Sequence, residues 1–270
     1  MKRILLLRLG FCGLFVAAMA AIVSPAASGK KMPDARAIVK ASDQSLKPHT
    51  EKILYRMTLV APGGSVEQVR TFFTYYKNRN GEERTLQKFL SPPVLAGTGL
   101  LLIDHGKADT NIWMYLPTTR RIRRIAGHEK SNQYMGTEFC FEDFEGYQIS
   151  AYDFNLLGEK PSDNGNPCWV IEAVAATPSQ KAATGYSKKH YWIDQNTYYP
   201  LRVEYYAKDG SLEKVLTAHD LHQVDQYWRP RREEMKNLRS GRSTKLVLEK
   251  IQIDLPLADK YVSERYLRRD

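Results

Sequence analysis

Runs of strand-forming residues recur through residues 51–253, and turn residues interrupt them about every 8–12 positions. The clearest turns are Pro62-Gly63-Gly64, the Asn-Arg-Asn-Gly run at residues 78–81, and Asp209-Gly210. Glycine accepts the positive φ that tight hairpins need, so these turns favour consecutive antiparallel strands. The pattern predicts a mainly β chain with about ten or eleven strands. A twisted sheet of that size does not stay flat, and we expect one curled antiparallel half-barrel.

Residues 97–146 carry the densest part of this pattern. Residues 100–104 and 112–116 alternate as a hairpin, and an arginine-rich strand follows at residues 119–126. A glycine-containing loop then leads into an acidic and aromatic segment, residues 139–145. These segments predict an apolar wall with guanidinium groups beside it and a loop that can cover an opening.

The N-terminal segment has the pattern of a secretory signal peptide. Lys2, Arg3 and Arg8 precede the apolar residues 9–23, and small residues follow at positions 24–28. The alternative is a permanent membrane anchor, but about 15 apolar residues are short against the roughly 20 that span a bilayer. We therefore predict a cleaved signal peptide at residues 1–28 and a single domain at residues 29–270.

An amphipathic helix is predicted at the start of that domain, in residues 31–46. Ala35, Ile38, Val39, Ser42 and Leu46 recur at helical spacing. Their shared face needs a surface to cover, and the curled sheet provides one.

The segments LLLI (100–103), WMYLP (113–117), RIRRI (121–125) and SNQYMGTEFCFED (131–143) follow one another in an order typical of one group of proteins. Together with residues 186–194, 202–214 and 262–268, they resemble the LolA/LolB-like superfamily, specifically its outer-membrane lipoprotein-sorting branch. Cys140 departs from the pattern, which has a small polar residue there. The resemblance implies a periplasmic protein whose N-terminal helix packs across the open side of the sheet.

The candidate ligand-binding residues are apolar and aromatic side chains placed where one face of the sheet can line a cavity. They are Phe73, Tyr75, Leu100, Leu102, Trp113, Tyr115, Ile125 and Met135. The alternative is that they form an ordinary β core. Which of them face a cavity depends on strand register, because a slip of one residue reverses every assignment. The N-terminal helix and the loop at residues 135–145 are predicted to close the cavity as a short helical lid.

Two arginines of the basic strand are candidates for a lid latch or a headgroup contact. Arg121 and Arg123 share one strand face with Ile125, while Arg120 and Arg124 share the other. Guanidinium groups can form bidentate hydrogen bonds with a phosphate, or they can hold a lid by hydrogen bonds. The resemblance favours a latch role, whereas a solvated strand paired with nearby acidic residues is the alternative.

Cys140 and Cys168 are the two cysteines that remain after cleavage. In an oxidising compartment they can form a disulfide, and the alternative is two separate buried thiols. Metal binding by two cysteines at this spacing is not expected.

The sequence offers no catalytic arrangement. His219 and His222 lie three apart on a predicted strand, so their rings diverge, and the other histidines are scattered. No nucleophile elbow, Walker A motif or dinucleotide fingerprint occurs. We expect no enzyme activity, no metal and no cofactor. An uncharacterised envelope hydrolase stays as a distant alternative.

The formal net charge is +10, and the three basic residues of the leader account for only part of it. A basic exported protein meets anionic lipid surfaces or acidic partners rather than nucleic acid. The sequence predicts a carrier or chaperone for a lipid, or for the acyl chains of a lipoprotein, that contacts membranes peripherally. By resemblance, an RND/MMPL-type inner-membrane transporter is a partner. The alternative function is an accessory subunit of such an exporter that carries no lipid.

Overall fold

The computed structural model describes residues 33–106 and 110–269. The predicted signal peptide lies outside the described residues. The fold is one antiparallel sheet of thirteen strands with a few short helices, more strands than the ten or eleven predicted. The strands are β1 (Thr50–Val60), β2 (Val66–Arg79), β3 (Glu82–Ser91), β4 (Gly99–Asp104), β5 (Asn111–Leu116), β6 (Arg121–Ile125), β7 (Tyr152–Pro161), β8 (Pro167–Ala175), β9 (Tyr186–Asp194), β10 (Pro200–Ala207), β11 (Leu212–Val224), β12 (Tyr227–Asn237) and β13 (Ser243–Ile253). The helices are α1 (Ala35–Ser45), α2 (Pro178–Ala183) and α3 (Glu264–Leu267), with 3₁₀ turns at Gly127–Glu129, Phe141–Phe144 and Asp259–Val262.

The order of the strands explains the architecture. It runs β6-β5-β4-β3-β2-β1-β13-β12-β11-β10-β9-β8-β7, so the two halves of the meander join where β1 pairs with β13. Strands β6 and β7 lie at opposite ends of this order, and no ladder between described residues closes the sheet. The chain between them, residues 126–151, therefore crosses from one edge of the sheet to the other.

Helix α1 begins at Ala35 rather than at the predicted Lys31 because Asp34 caps it. The Asp34 carboxylate accepts a hydrogen bond from the Ala37 amide at 2.9 Å. Ala35, Ile38 and Val39 are buried against the sheet, as their helical spacing predicts.

The sheet has two apolar faces with different coverings. In β4, Leu100 and Leu102 belong to one cluster, whereas Leu101 and Ile103 belong to another. We call the first the inner face, since α1 and residues 126–151 pack on it, and the second the outer face. This division follows the pleat, which sends successive side chains to opposite sides.

The outer face is covered near β2–β5 by the C-terminal segment, residues 254–269. Leu257, Val262 and Leu267 are buried there among outer-face side chains. At Gly99 a Cβ atom would lie 2.6 Å from Leu267 Cδ1, so glycine permits the close approach of this segment. Lys77 fixes it further with an ion pair to Asp259 at 2.6 Å.

No helix among the described residues is both long and apolar enough to cross a membrane.

Candidate functional site

A cavity of about 720 Å³ lies beneath α1, bordered by residues 143–150 and by inner-face side chains of β2–β4, β9 and β10. Its apolar lining includes Leu46, Leu102, Phe144 and Val203. Charged side chains, tyrosines and other polar residues line most of the rest, so the cavity is less apolar than the sequence predicts. This volume lies within the roughly 300–1,000 Å³ of typical small-molecule sites.

One side of the cavity is held to α1 by a three-membered ionic cluster. Lys47 follows the helix and lies 2.7 Å from Asp43 and 2.6 Å from Glu83 of β3. Burial works to lower the pKa of Lys47, but the hydrogen bonds to these two carboxylates raise it. Lys47 therefore stays charged and ties the end of the helix to the sheet.

Two further side chains of α1, Ser42 and Arg36, hold the helix in place. Ser42 Oγ lies 2.7 Å from Tyr147 Oη and donates to the Tyr198 carbonyl at 2.6 Å. The Arg36 guanidinium donates to the carbonyls of Ile149 and Tyr152, at 2.7 and 3.0 Å. The helix is thus fixed by polar contacts at its rim and by three apolar residues beneath.

Lys189, Tyr191 and Tyr205 form the polar part of the cavity wall on β9 and β10. Lys189 and Tyr205 are cross-strand partners, and Tyr191 follows two residues along on the same face. The Lys189 ammonium lies 5.1–5.9 Å from the ring centroids of Tyr152, Tyr186 and Tyr205. Lys189 is only 5% exposed, so this positive charge is almost removed from bulk solvent.

The acidic segment at residues 142–145 supplies buried carboxyl groups next to this wall. Asp143 accepts from the Tyr186 hydroxyl at 3.0 Å and from the Cys140 amide at 2.7 Å. Burial raises the pKa of Asp143, although nearby Lys189 and Lys214 act against it. Burial also raises the pKa of Glu145 to about 7, despite its 2.5 Å ion pair with Lys130.

Cys140 and Cys168 are free and separately buried, so the structure corrects the disulfide prediction in favour of two thiols. Cys140 Sγ accepts a hydrogen bond from Lys214 Nζ at 3.2 Å in the inner-face core. Cys168 belongs to a different cluster with Tyr199 and Leu201. Burial raises the pKa of both thiols, which keeps them protonated. A disulfide needs Cα atoms within about 7 Å, and spacing along the sequence cannot reveal that distance.

A family model described as "-like: Uncharacterized protein" matches residues 81–269. The chain belongs to this family. A putative outer-membrane lipoprotein-sorting protein domain from Vibrio parahaemolyticus is 28% identical, with a TM-score of 0.80 over 87% of this chain and 98% of that one. A DUF1329 family protein from Desulfovibrio piger is 26% identical, with a TM-score of 0.79 over 86% of this chain and 97% of that one.

A LolA superfamily protein from Nitrosomonas europaea shares the fold at 18% identity, with a TM-score of 0.67 over 87% of this chain and all of the other. No curated protein matches the chain. The fold is therefore LolA-like, as the sequence motifs indicate.

Within this LolA-like fold, the eight residues predicted to line a cavity lie on two faces. Leu102 lines the cavity, and Leu100, Ile125 and Met135 pack in or against the inner cluster. The remaining four, Phe73, Tyr75, Trp113 and Tyr115, lie on the outer face, in or against the cluster that the C-terminal segment covers. The prediction that these aromatic residues share one face with Leu102 is wrong, because they have the opposite pleat parity.

The segment predicted as a lid is largely part of the core. Tyr134 is fully buried, and its ring contacts Phe89, Phe141 and Phe144 at centroid distances of 5.1–6.2 Å. Met135 has φ 50° and its carbonyl accepts from Arg70 at 2.8 Å. Only the end of this segment borders the cavity, so residues 135–142 fill the inner face rather than cover an opening.

Arg121 and Arg123 lie on the edge strand β6, on the same face as Ile125, as the alternation predicts. They border a separate groove of about 620 Å³ with Met114 and Leu116, away from the lining of the cavity beneath α1. Arg123 forms an ion pair with Glu129. The polar links found between α1 and the rest of the fold use Lys47, Ser42 and Arg36. Of these, the sequence analysis named only Ser42, as part of the buried face of the helix.

Proposed function

We propose that this protein is a periplasmic carrier or chaperone that binds a lipid, or the acyl chains of a lipoprotein, in the cavity beneath α1. It transfers this cargo between membranes of the cell envelope. The cavity itself, half open to solvent and bordered by a LolA-like sheet and its N-terminal helix, is the observation that carries the proposal. The similarity to the putative outer-membrane lipoprotein-sorting protein domain from Vibrio parahaemolyticus supports it.

The size and lining of the cavity suit one or more acyl chains. Each buried methylene stabilises the complex by about 0.8 kcal/mol, so apolar walls hold a chain without precise contacts. Leu102 and Val203 supply such walls from the sheet, and Leu46 and Phe144 supply them from the covering segments. The cavity is half open to solvent, and movement of α1 or of residues 143–150 widens its entrance for the cargo.

The contacts of α1 suit a helix that opens. Its rim is held by polar and ionic contacts that water can replace, chiefly Lys47–Glu83 and Arg36–Ile149. Ion pairs this close to solvent contribute only about 0–1 kcal/mol each. The helix therefore serves as the lid of the proposed carrier, in place of residues 135–142.

Arg121 and Arg123 have a separate role in this proposal. They project from an edge strand beside an apolar groove, where guanidinium groups can contact the phosphates of a membrane surface. The protein meets membranes there peripherally, receives cargo from an RND/MMPL-type inner-membrane transporter, and acts without enzymatic turnover.

The test is lipid extraction and mass spectrometry of protein purified from the periplasm without detergent. The wild type is compared with Leu102→Trp, which fills the cavity, and with Leu157→Trp at a 49% exposed position. A stoichiometric acyl species is expected in the wild type and in Leu157→Trp, and its loss is expected in Leu102→Trp. An empty wild type that still captures an inner-membrane transporter would instead favour the non-carrying accessory subunit.

A further inference from the structure

The cavity beneath α1 has unused hydrogen-bond donors. Among the described residues, no hydrogen bond or ion pair links Lys189 Nζ to a protein acceptor, although Lys189 is 95% buried and lines the cavity. The hydroxyls of Tyr191 and Tyr205, which line the same wall, likewise have no hydrogen-bond partner within residues 33–106 and 110–269. None of these three side-chain atoms is among the fully buried atoms that lack a partner, so Nζ and both hydroxyls still face open space in the cavity, where a ligand can accept hydrogen bonds from them.

The carboxyl groups around the cavity, in contrast, are already satisfied. Asp143 accepts from Tyr186 and Cys140, and Glu145 is paired with Lys130. At the rim, Asp43 and Glu83 share Lys47. The hydrogen-bonding capacity left over in the cavity is therefore that of donors, which matches an acceptor-rich ligand.

The three aromatic rings around Lys189 do not replace such a ligand. Cation–π contacts of 5.1–5.9 Å stabilise the positive charge but accept no N–H hydrogen bond. Burial works to lower the pKa of Lys189, yet the neighbouring tyrosines and the carboxyl groups of Glu142 and Asp143 raise it. The ammonium thus remains charged with its donors facing the cavity.

We propose that Lys189, Tyr191 and Tyr205 form a binding site for an anionic head group, a carboxylate or a phosphate, of the ligand whose acyl chain occupies the cavity. One ammonium and two phenol hydroxyls offer donors from adjacent positions on β9 and β10, and a carboxylate or phosphate has oxygen acceptors enough for all three. This inference rests on the proposed carrier function and assigns its cargo class: single-chain or double-chain lipids with an exposed acid group, bound head first.

The direction of binding follows from the position of the site. Lys40 of α1 is exposed at the cavity rim, whereas Lys189 lies buried on the sheet. A head group bound at Lys189 places the anion at the inner wall and leaves the acyl chain along Leu102, Val203 and Leu46 toward the rim.

The experiment compares three probes that share one chain: oleate, 1-oleoyl lysophosphatidate and methyl oleate, which is neutral. Each is titrated by calorimetry into delipidated mature protein. The wild type is expected to bind at least one acidic probe about 10- to 100-fold more tightly than methyl oleate, the range of a charged hydrogen bond. The acidic probe that binds more tightly shows whether a carboxylate or a phosphate is preferred.

The decisive variant is Lys189→Met, with Lys188→Met as the matched control. Lys188 is the neighbouring residue, but it faces the other side of the sheet and pairs with Glu172 at 2.9 Å. Lys189→Met is expected to abolish the preference for acidic probes over methyl oleate, while Lys188→Met keeps the preference. A preference that survives in Lys189→Met would overturn the head-group site.

The two proposals fail in different ways. If the wild type binds all three probes equally, the cavity carries acyl chains but the head-group inference is wrong. If it binds none of them, the carrier proposal and the head-group inference fall together. Should Lys189→Met not fold, Tyr191→Phe with Tyr205→Phe removes only the two hydroxyls. That pair is expected to reduce the preference at least about 3-fold, with Tyr206→Phe on the outer face as control.

Discussion

The inner and outer faces of the sheet are both rich in aromatic residues, but they are covered by different segments and to different extents. On the outer face, the C-terminal segment packs Leu257, Val262 and Leu267 directly onto the strands. On the inner face, α1 and residues 126–151 leave a cavity of about 720 Å³, which contains a buried lysine that has no acceptor among the residues the structure describes.

This difference distinguishes a face that is packed for stability from a face that has room for a ligand. The outer covering is apolar, close and tied down by Lys77–Asp259, so its aromatic residues contribute to stability. The inner covering leaves space and unpaired donors, as a ligand site requires. Aromatic content alone does not distinguish the two faces.

The largest effect is expected from breaking the outer covering. Leu267 is fully buried, so Leu267→Ala should lower the free energy of unfolding by about 2–5 kcal/mol through lost contacts and a residual cavity. Urea denaturation measures this change. Leu157→Ala, at an exposed position, should change it by less than about 0.5 kcal/mol. Loss of bound cargo from folded Leu267→Ala protein would contradict the assignment of this face to packing.

The inner face should become less stable as the pH rises, whereas the pKa of Asp259 in the outer covering is lowered by its hydrogen bond to Lys77, which has the opposite pH dependence. Glu145 has a folded-state pKa of about 7 against an ordinary value of 4.5. Because the pKa is raised, the stabilising contribution is complete below pH 4.5 and is lost as the pH rises through 7. The difference in unfolding free energy between wild type and Glu145→Gln should shift by about 3 kcal/mol across this window. A constant difference would show that Glu145 is ionised throughout.

A smaller effect is expected at Gly99, where the outer covering approaches the sheet most closely. Gly99→Ala places a Cβ atom 2.6 Å from Leu267 Cδ1 and should destabilise the fold by about 1–3 kcal/mol. In a Leu267→Ala background the clash with Leu267 is removed and the 3.2 Å approach to the Gln87 carbonyl oxygen remains, so the two effects should be clearly less than additive in a double-mutant cycle. Simple additivity would mean that the two residues do not touch.

The smallest effect concerns the cysteines. Since Cys140 and Cys168 are free, adding a reducing agent should leave the thermal unfolding midpoint unchanged. Thiol titration of the unfolded mature protein should find both groups. A midpoint that falls under reduction would show that a disulfide forms in the periplasm.

The sequence was sufficient to predict the meander, the helix and the face shared by Arg121, Arg123 and Ile125, because these depend on local alternation. It could not predict which face encloses a cavity. That outcome depends on residues 126–151 crossing one face and residues 254–269 covering the other. Both arrangements are set by contacts between residues that are far apart in the sequence. Trp113 and Leu102 are equally apolar in the sequence, yet the pleat places them on opposite sides.

The polar part of the site also could not be predicted from the local sequence pattern. Lys189 lies in an alternating strand with Tyr191 two residues on, a weak signal for a lysine on a buried face. Its cross-strand partner Tyr205 becomes a neighbour only through the pairing of β9 with β10. Cys140, which departs from the family pattern, accepts a hydrogen bond from Lys214, 74 residues away along the chain.

The most direct test of the account is photo-crosslinking with a fatty acid that carries a diazirine on its chain, followed by peptide mass spectrometry. If the cavity holds the cargo, we expect label on α1, on residues 143–150 and on β9 and β10, all of which border the cavity. Label confined to β5 and β6, beside Arg121 and Arg123, or to the C-terminal segment would contradict the claim that the cavity beneath α1 holds the cargo.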